Sequence, residues 1–481
     1  MKEEEKICTK NLNMPNQPIQ CLRICFLRPY YLKLSLLLCS QDSSFKESPL
    51  YREAGSHSKT SPNEYSGLSF FIHSFLLIKM KDRERDKMGF KKSFVGLLAG
   101  VSLFAAACGN GETSTGEEDT ALYEDRDTIV LGSLFAQSGA YSAYGLPQAY
   151  ALQLAVDEIN EAGGIDGKQL EIVEYDYSSD ETEAASLATR LATEDEVSII
   201  VGPDTSGSSL AALQQASQYG IPLLSPSASL DDFTVDSTGE VIDTAWRIAY
   251  PDSYQGEALA QFAVDEFGAQ TAAILGDNSS DYAVGLVETF EEAFTGEVVA
   301  KENFTEDETD FSAVLTNIAS NDFDVLFIPG YYEQAGPIIK QAREMGIDQP
   351  ILGPDGFGNA QLYELAGTDN LNDVFYTTQF STLSEEAHVQ DFLSNYEAEF
   401  GQAADMFAAM SYDAAYVVKE AIERAGSAAP SAINAELKNT QDFKGVTGTF
   451  SFDDLHNPIK TVTIVEVQNG EDVGVIEISA E

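Results

Sequence analysis

From Thr128 onward the chain alternates between short apolar runs and longer segments whose apolar residues recur three and four apart. The run TIVLGS (128–133) reads as a strand. Residues 147–162 follow with Leu152, Val156 and Ile159 at helical spacing, and Gly163-Gly164 stops that helix. A second strand spans 170–176, and SIIVG, IPLLSP, TAAILGD, DVLFIPG and QPILGPDG repeat the signal downstream. Most are trailed by helical segments such as 208–218 and 335–345. Strand and helix alternating every few tens of residues predict an α/β protein with two parallel sheets covered by helices.

The region before Thr128 has a different character. Phe94 to Ala107 is a 14-residue apolar stretch with Ser102 as its one polar side chain, preceded by Lys91 and Lys92. It is too short to span a bilayer as a helix and has the layout of a secretory signal starting at Met88. The junction Ala105-Ala106-Ala107-Cys108-Gly109 resembles a bacterial lipobox, in which the cysteine is lipidated and becomes the mature N-terminus. Ala105 departs from the leucine usual there. Residues 109–127 are Gly, Ser, Thr and acid, a flexible tether. Residues 1–87 hold four of the five cysteines, lack sustained periodicity, and read as an over-extended gene start.

Charge narrows the partners. Residues 108–481 carry 12 Lys and Arg against 68 Asp and Glu, a net −56. Such a surface repels phosphate, which argues against nucleic acid. One cysteine and two histidines (His388, His456) remain there, too few for an internal disulfide or a His/Cys metal cluster, and no cofactor motif is present. The chain lacks a Gly-x-Ser-x-Gly elbow, and GGIDGKQ fails the phosphate-loop pattern at Gln169. Neither a catalytic site nor an enzyme is expected.

In open parallel sheets ligands sit beyond the carboxyl ends of the strands. The segments found there include 133–144, Gly202-Pro-Asp-Thr-Ser206, Ser225-Pro-Ser-Ala-Ser229, 276–282, Gly330-Tyr331-Tyr332 and Gly353-Pro-Asp355-Gly-Phe357. They are rich in hydroxyls, rings and glycine, and almost free of Lys and Arg. The set suits a small ligand held by hydroxyls, main-chain amides and one or two carboxylates.

At SGAYSAYG, VGPDTSG, IPLLSPSAS, YYEQAGPIIKQAREMG and LGPDGFGNAQLYELAG the chain resembles the branched-chain amino-acid-binding family of ABC transporters. The resemblance implies the type I periplasmic-binding fold: two α/β lobes joined by three crossovers, closing on a ligand between them. Lobe 1 would span about 127–248 and 377–448, and lobe 2 about 249–376 and 449–481. It further implies that Ser206 and Ser229 bind an amino-acid carboxylate, that the Ser227 carbonyl takes the ammonium, and that Asp355 pairs with it. Tyr144, Tyr282, Tyr331 and Phe407 would close over the ligand, with Ala228 in the same loop as Ser229. Asp204 and Thr205 stand where relatives touch the ligand side chain with apolar groups. That leaves a branched-chain amino acid, a polar amino acid, an amide and a small carboxylic acid all open as ligands. The implied setting is a monomeric lipoprotein on the outer face of a cell membrane of the Gram-positive type, serving permease subunits or, alternatively, a sensor.

Replacing Cys108 by Ala should abolish lipid labelling and release the protein or leave it unprocessed. Undiminished labelling of that variant contradicts the lipobox.

Overall fold

The computed structural model describes residues 23–27, 31–35 and 123–478. Arg23–Leu27 (β1) and Tyr31–Ser35 (β2) pair as an antiparallel hairpin in a unit that ends at Ala107, separate from the unit holding all later elements. The signal segment 88–107, Cys108 and the tether as far as residue 122 lie outside the described residues.

The first lobe starts with β3 (Thr128–Phe135), α1 (Ser142–Glu161), β4 (Gln169–Asp176), α2 (Glu181–Thr193), β5 (Ile199–Val201), α3 (Ser206–Ala216), β6 (Leu223–Ser225) and β7 (Ala245–Arg247). Its five strands are all parallel, in the order β4-β3-β5-β6-β7. The central strands β5 and β6 are buried throughout. This is why they read as continuous apolar runs without alternation.

The chain then crosses to a second sheet through α4 (Asp252–Phe267), β8 (Thr271–Asp277), α5 (Asp281–Ala293), β9 (Glu297–Phe304), α6 (Ser312–Ala319), β10 (Val325–Phe327), α7 (Tyr332–Glu344), β11 (Ile351–Gly353), α8 (Ala360–Ala366) and β12 (Val374–Thr378). It returns to the first lobe with α9 (Ala387–Phe400), α10 (Met406–Ala425), α11 (Pro430–Leu437), β13 (Phe443–Gly445) and β14 (Gly448–Phe450). There the Ser411 hydroxyl donates to the Gln148 carbonyl of α1 at 2.8 Å. A third crossing delivers β15 (Val462–Gln468) and β16 (Glu471–Ile478). The second sheet runs β16-β15-β12-β11-β10-β8-β9. Its last two strands are antiparallel, so this sheet is mixed where the alternation predicted a parallel one. Asn469 and Gly470 between them have φ of 53° and 73°, as a tight hairpin requires.

The crossovers are tied to one another. Trp246 is fully buried, stacks on His456 at 3.5 Å and donates its indole N–H to Asn434. The buried Arg247 donates from Nε to Asn457 Oδ1 and from a terminal nitrogen to the Leu230 carbonyl, both at 2.7 Å. First and third crossings are thereby fixed side by side.

Helix starts differ from the sequence reading in one consistent way. α1 begins at Ser142, α3 at Ser206 and α7 at Tyr332, each two to five residues earlier than periodicity predicts. Their first turns carry Ser, Gly and Tyr instead of aliphatic residues, because they form the walls of a cleft.

Candidate functional site

Loops from both lobes meet around a narrow space lined by Tyr144, Asp204, Thr205, Ser206, Ser227, Ser229, Tyr282, Tyr331, Asp355, Gly356 and Phe407. Ten of the eleven residues selected from sequence lie on this wall. Ala228 does not: it is wholly buried in the first lobe and its N–H is donated to Ser225 Oγ at 2.9 Å. Gly356 is the lining residue that sequence reasoning missed.

On the first-lobe side the backbone turns sharply after β5. Gly202 has φ of 111°, and a Cβ there would lie 2.1 Å from the Leu134 carbonyl oxygen, so only glycine fits. The turn sets Ser206 at the start of α3, where unpaired N–H groups attract a carboxylate. Ser206 Oγ accepts from the N–H groups of Ser229 and Leu230, each at 3.2 Å. Both are acceptor contacts, so the hydroxyl proton remains to be donated. The Ser206 side chain therefore joins the two ligand-side loops instead of capping the helix. Ser227 Oγ lies 2.8 Å from the Asp204 carbonyl.

On the second-lobe side the wall is a carboxylate in an aromatic frame. Asp355 Oδ1 accepts from Tyr282 Oη at 2.7 Å, and Gly356 N donates to the same phenol oxygen at 3.1 Å. Tyr282 stacks on Tyr331 with centroids 5.0 Å apart, and Tyr144 meets Phe407 at 4.6 Å. Both Tyr282 and Tyr144 have their hydroxyls engaged by protein groups. They offer rings, not hydroxyls, to whatever fills the cleft.

No Lys, Arg or His lines this space, while two buried carboxyl groups do. Burial pushes Asp355 above the ordinary carboxylate range, against the hydrogen bonds that hold it down. Burial also raises Asp204, to about 7. Asp204 Oδ1 accepts from Ala136 N at 2.8 Å, and the buried Tyr177 hydroxyl is a second hydrogen-bonding neighbour of the carboxyl group. Two buried acids without a cation leave the site short of positive charge.

The lobes touch across the cleft. Tyr144 Oη donates to the Gly356 carbonyl at 2.7 Å and accepts from Tyr332 N at 3.2 Å. Tyr332 Oη donates to the Ala140 carbonyl at 3.1 Å. A further contact begins with Pro147, which lies inside α1 and has no N–H to give the carbonyl of Ala143. Asn359 Nδ2, from the other lobe, donates to that carbonyl at 2.8 Å. The Asn359 Oδ1 caps α8 by accepting from Gln361 N, which fixes which end of the amide faces the cleft.

The family profile described as periplasmic binding protein matches residues 128–472. The chain belongs to that family. This periplasmic binding protein is 40% identical to the branched-chain amino acid transporter substrate binding protein LivJ of Streptococcus pneumoniae, solved with isoleucine. The two superpose with a TM-score of 0.70 over 73% of this chain and all of that one. A leucine binding protein of Thermotoga maritima is 29% identical with a TM-score of 0.67, covering 73% of this chain and 98% of that one. The leucine-, isoleucine-, valine-, threonine- and alanine-binding protein of Pseudomonas aeruginosa is 27% identical over 332 residues, 68% of this chain and 86% of its own. The protein thus has the type I periplasmic-binding fold and is a substrate-binding protein, not an enzyme.

The Asn359 contact exists only when the lobes are together. Asn359→Ser keeps a helix-capping hydroxyl but cannot reach Ala143. The ligand-free protein should then lose closed population by roughly three- to tenfold, the worth of one hydrogen bond of about 1 kcal/mol. Single-molecule energy transfer between dyes on the two lobes measures this. An unchanged closed fraction would remove Asn359 from the closing contacts.

Proposed function

We propose that this protein captures a free α-amino acid with a small aliphatic side chain and delivers it to the permease of an ABC importer. One observation carries the reading: hydroxyls and a helix N-terminus on one lobe face, across a narrow cleft, a buried carboxyl group on the other with no basic side chain beside it. An α-amino acid is complementary to both walls at once. Its carboxylate takes the Ser206 and Ser229 hydroxyls and the Ser229 amide, which exchanges its contact with Ser206 Oγ for the ligand, its ammonium takes Asp355 and the Ser227 carbonyl, and Tyr144, Tyr282, Tyr331 and Phe407 surround the rest. The isoleucine of the Streptococcus relative and the leucine, isoleucine and valine of the Pseudomonas relative support a branched-chain side chain.

A second reading, with a small hydroxyl-bearing side chain among the ligands, is favoured by the polar pair Asp204 and Thr205 on the cleft wall. Threonine is among the amino acids for which the Pseudomonas relative is named. Cys108 supplies the membrane anchor in this account, tethering a monomer on the outer face beside its transporter. The sequence between 88 and 127 supports that arrangement.

Asp355→Asn preserves shape and one acceptor while deleting the charge. Calorimetry with the best-bound amino acid should show binding weakened by about 2 to 5 kcal/mol, the range for breaking a buried, hydrogen-bonded charge pair. Binding within about threefold of wild type, well under 1.4 kcal/mol, would mean that no ammonium sits on Asp355.

A further inference from the structure

Asp355 does not stand alone on its wall; the side chains behind it lead into the hinge. Gln379 follows β12 in the second crossover and is buried. Its Oε1 accepts from Tyr250 N at 3.0 Å, in the first crossover. Because the oxygen end of the amide is committed there, the nitrogen end faces the cleft. Nε2 donates to Asp355 Oδ2 at 3.3 Å, the oxygen that Tyr282 leaves free. Tyr250 Oη in turn donates to the Thr378 carbonyl at 3.1 Å, closing a ring of contacts between the two crossovers. The Asp355 main chain is held separately, its N–H donating to Gln255 Oε1 at 2.9 Å.

We propose that Gln379 is a positioning residue that couples the Asp355 carboxylate to the hinge, so that Asp355 is fully oriented for a cation only in the crossover geometry of the closed protein. This rests on the amino-acid reading given above. Hinge closure changes the backbone angles of the crossovers. Gln379 is bonded to both crossovers, so the Nε2 to Oδ2 contact changes with that rotation, whereas the Tyr282 contact lies within one lobe and does not. A ligand shifts an open-closed equilibrium only through contacts that differ between the two states. Gln379 gives the ammonium such a difference without touching it.

The test uses Gln379→Met, which keeps the length of the side chain and removes the amide. Isoleucine binding is measured by calorimetry for the wild type, Gln379→Met, Asp355→Asn and the double variant of the full chain. In the wild-type background Gln379→Met should weaken binding about tenfold, as expected for one hydrogen bond to a charged group. In the Asp355→Asn background the same change should cost less than about threefold, because the charge that Gln379 orients is gone. Equal losses in the two backgrounds overturn the proposal. A second arm needs no ligand. In the ligand-free protein the Asp355 carboxyl carbon is titrated by NMR in the wild type and in Gln379→Met, with Asp252, Tyr250, Tyr282 and Tyr331 as its titratable neighbours in each. Losing the Gln379 donor should move the Asp355 midpoint upward, and an unmoved midpoint overturns the coupling. Failure of the wild type to bind any amino acid would refute the functional reading alone, with the titration still deciding the role of Gln379.

Discussion

The structure depends on a buried carboxyl group that has no basic side chain beside it among the described residues. Asp355 sits in a closed space walled by rings and hydroxyls, held by Tyr282, Gln379 and the start of its own short helical turn. Ionised, it is costly to bury; neutral, it cannot recruit a cation. A ligand that brings an ammonium resolves the conflict. In the proposed function the opposite wall supplies donors for an anion, and among the described residues no basic side chain lines the site to compete.

Closure follows from the same frugality with polar groups. Pro147 removes one hydrogen bond from α1 and thereby leaves the Ala143 carbonyl to be satisfied from the other lobe by Asn359. Gly356 lends its carbonyl to Tyr144 and its N–H to Tyr282, so one residue without a side chain links both lobes and the carboxylate next to it. A Cβ at 356 would lie 2.9 Å from the Gly330 carbonyl oxygen and 3.2 Å from Tyr282 Oη. The contacts that shut the cleft are thus mainly hydrogen bonds to main-chain atoms, individually modest and easily exchanged for water when the lobes part. This suits a protein that must also release what it binds.

Much of this was legible in the chain. Strands such as β5, β6, β10 and β11 announce themselves because burial on both faces demands unbroken apolar runs, and the rule that ligands sit beyond strand ends led directly to Ser206, Ser229, Tyr282 and Asp355. The resemblance added roles that residue types alone did not dictate. What escaped had a physical reason. The early helix starts at Ser142 and Tyr332 were hidden because cleft-facing turns spend polar and aromatic residues where a core helix would show aliphatic ones. Pro147 looked like a helix start, since proline favours the first turn, yet it lies inside α1. Asn359, Gln255 and Gln379 were invisible because their partners are distant in sequence, Asn359 and Ala143 being 216 residues apart. The antiparallel end of the second sheet carried a readable Asn469-Gly470 hairpin signal, but the count of alternating strand and helix ended before it.

The central claim is that an amino acid bridges the two lobes and holds them together. Small-angle X-ray scattering of residues 108–481, recorded with and without saturating isoleucine, tests it most directly. The account predicts a smaller radius of gyration and a narrower distance distribution with the amino acid present. Superimposable curves under conditions where calorimetry shows the site to be occupied would contradict it.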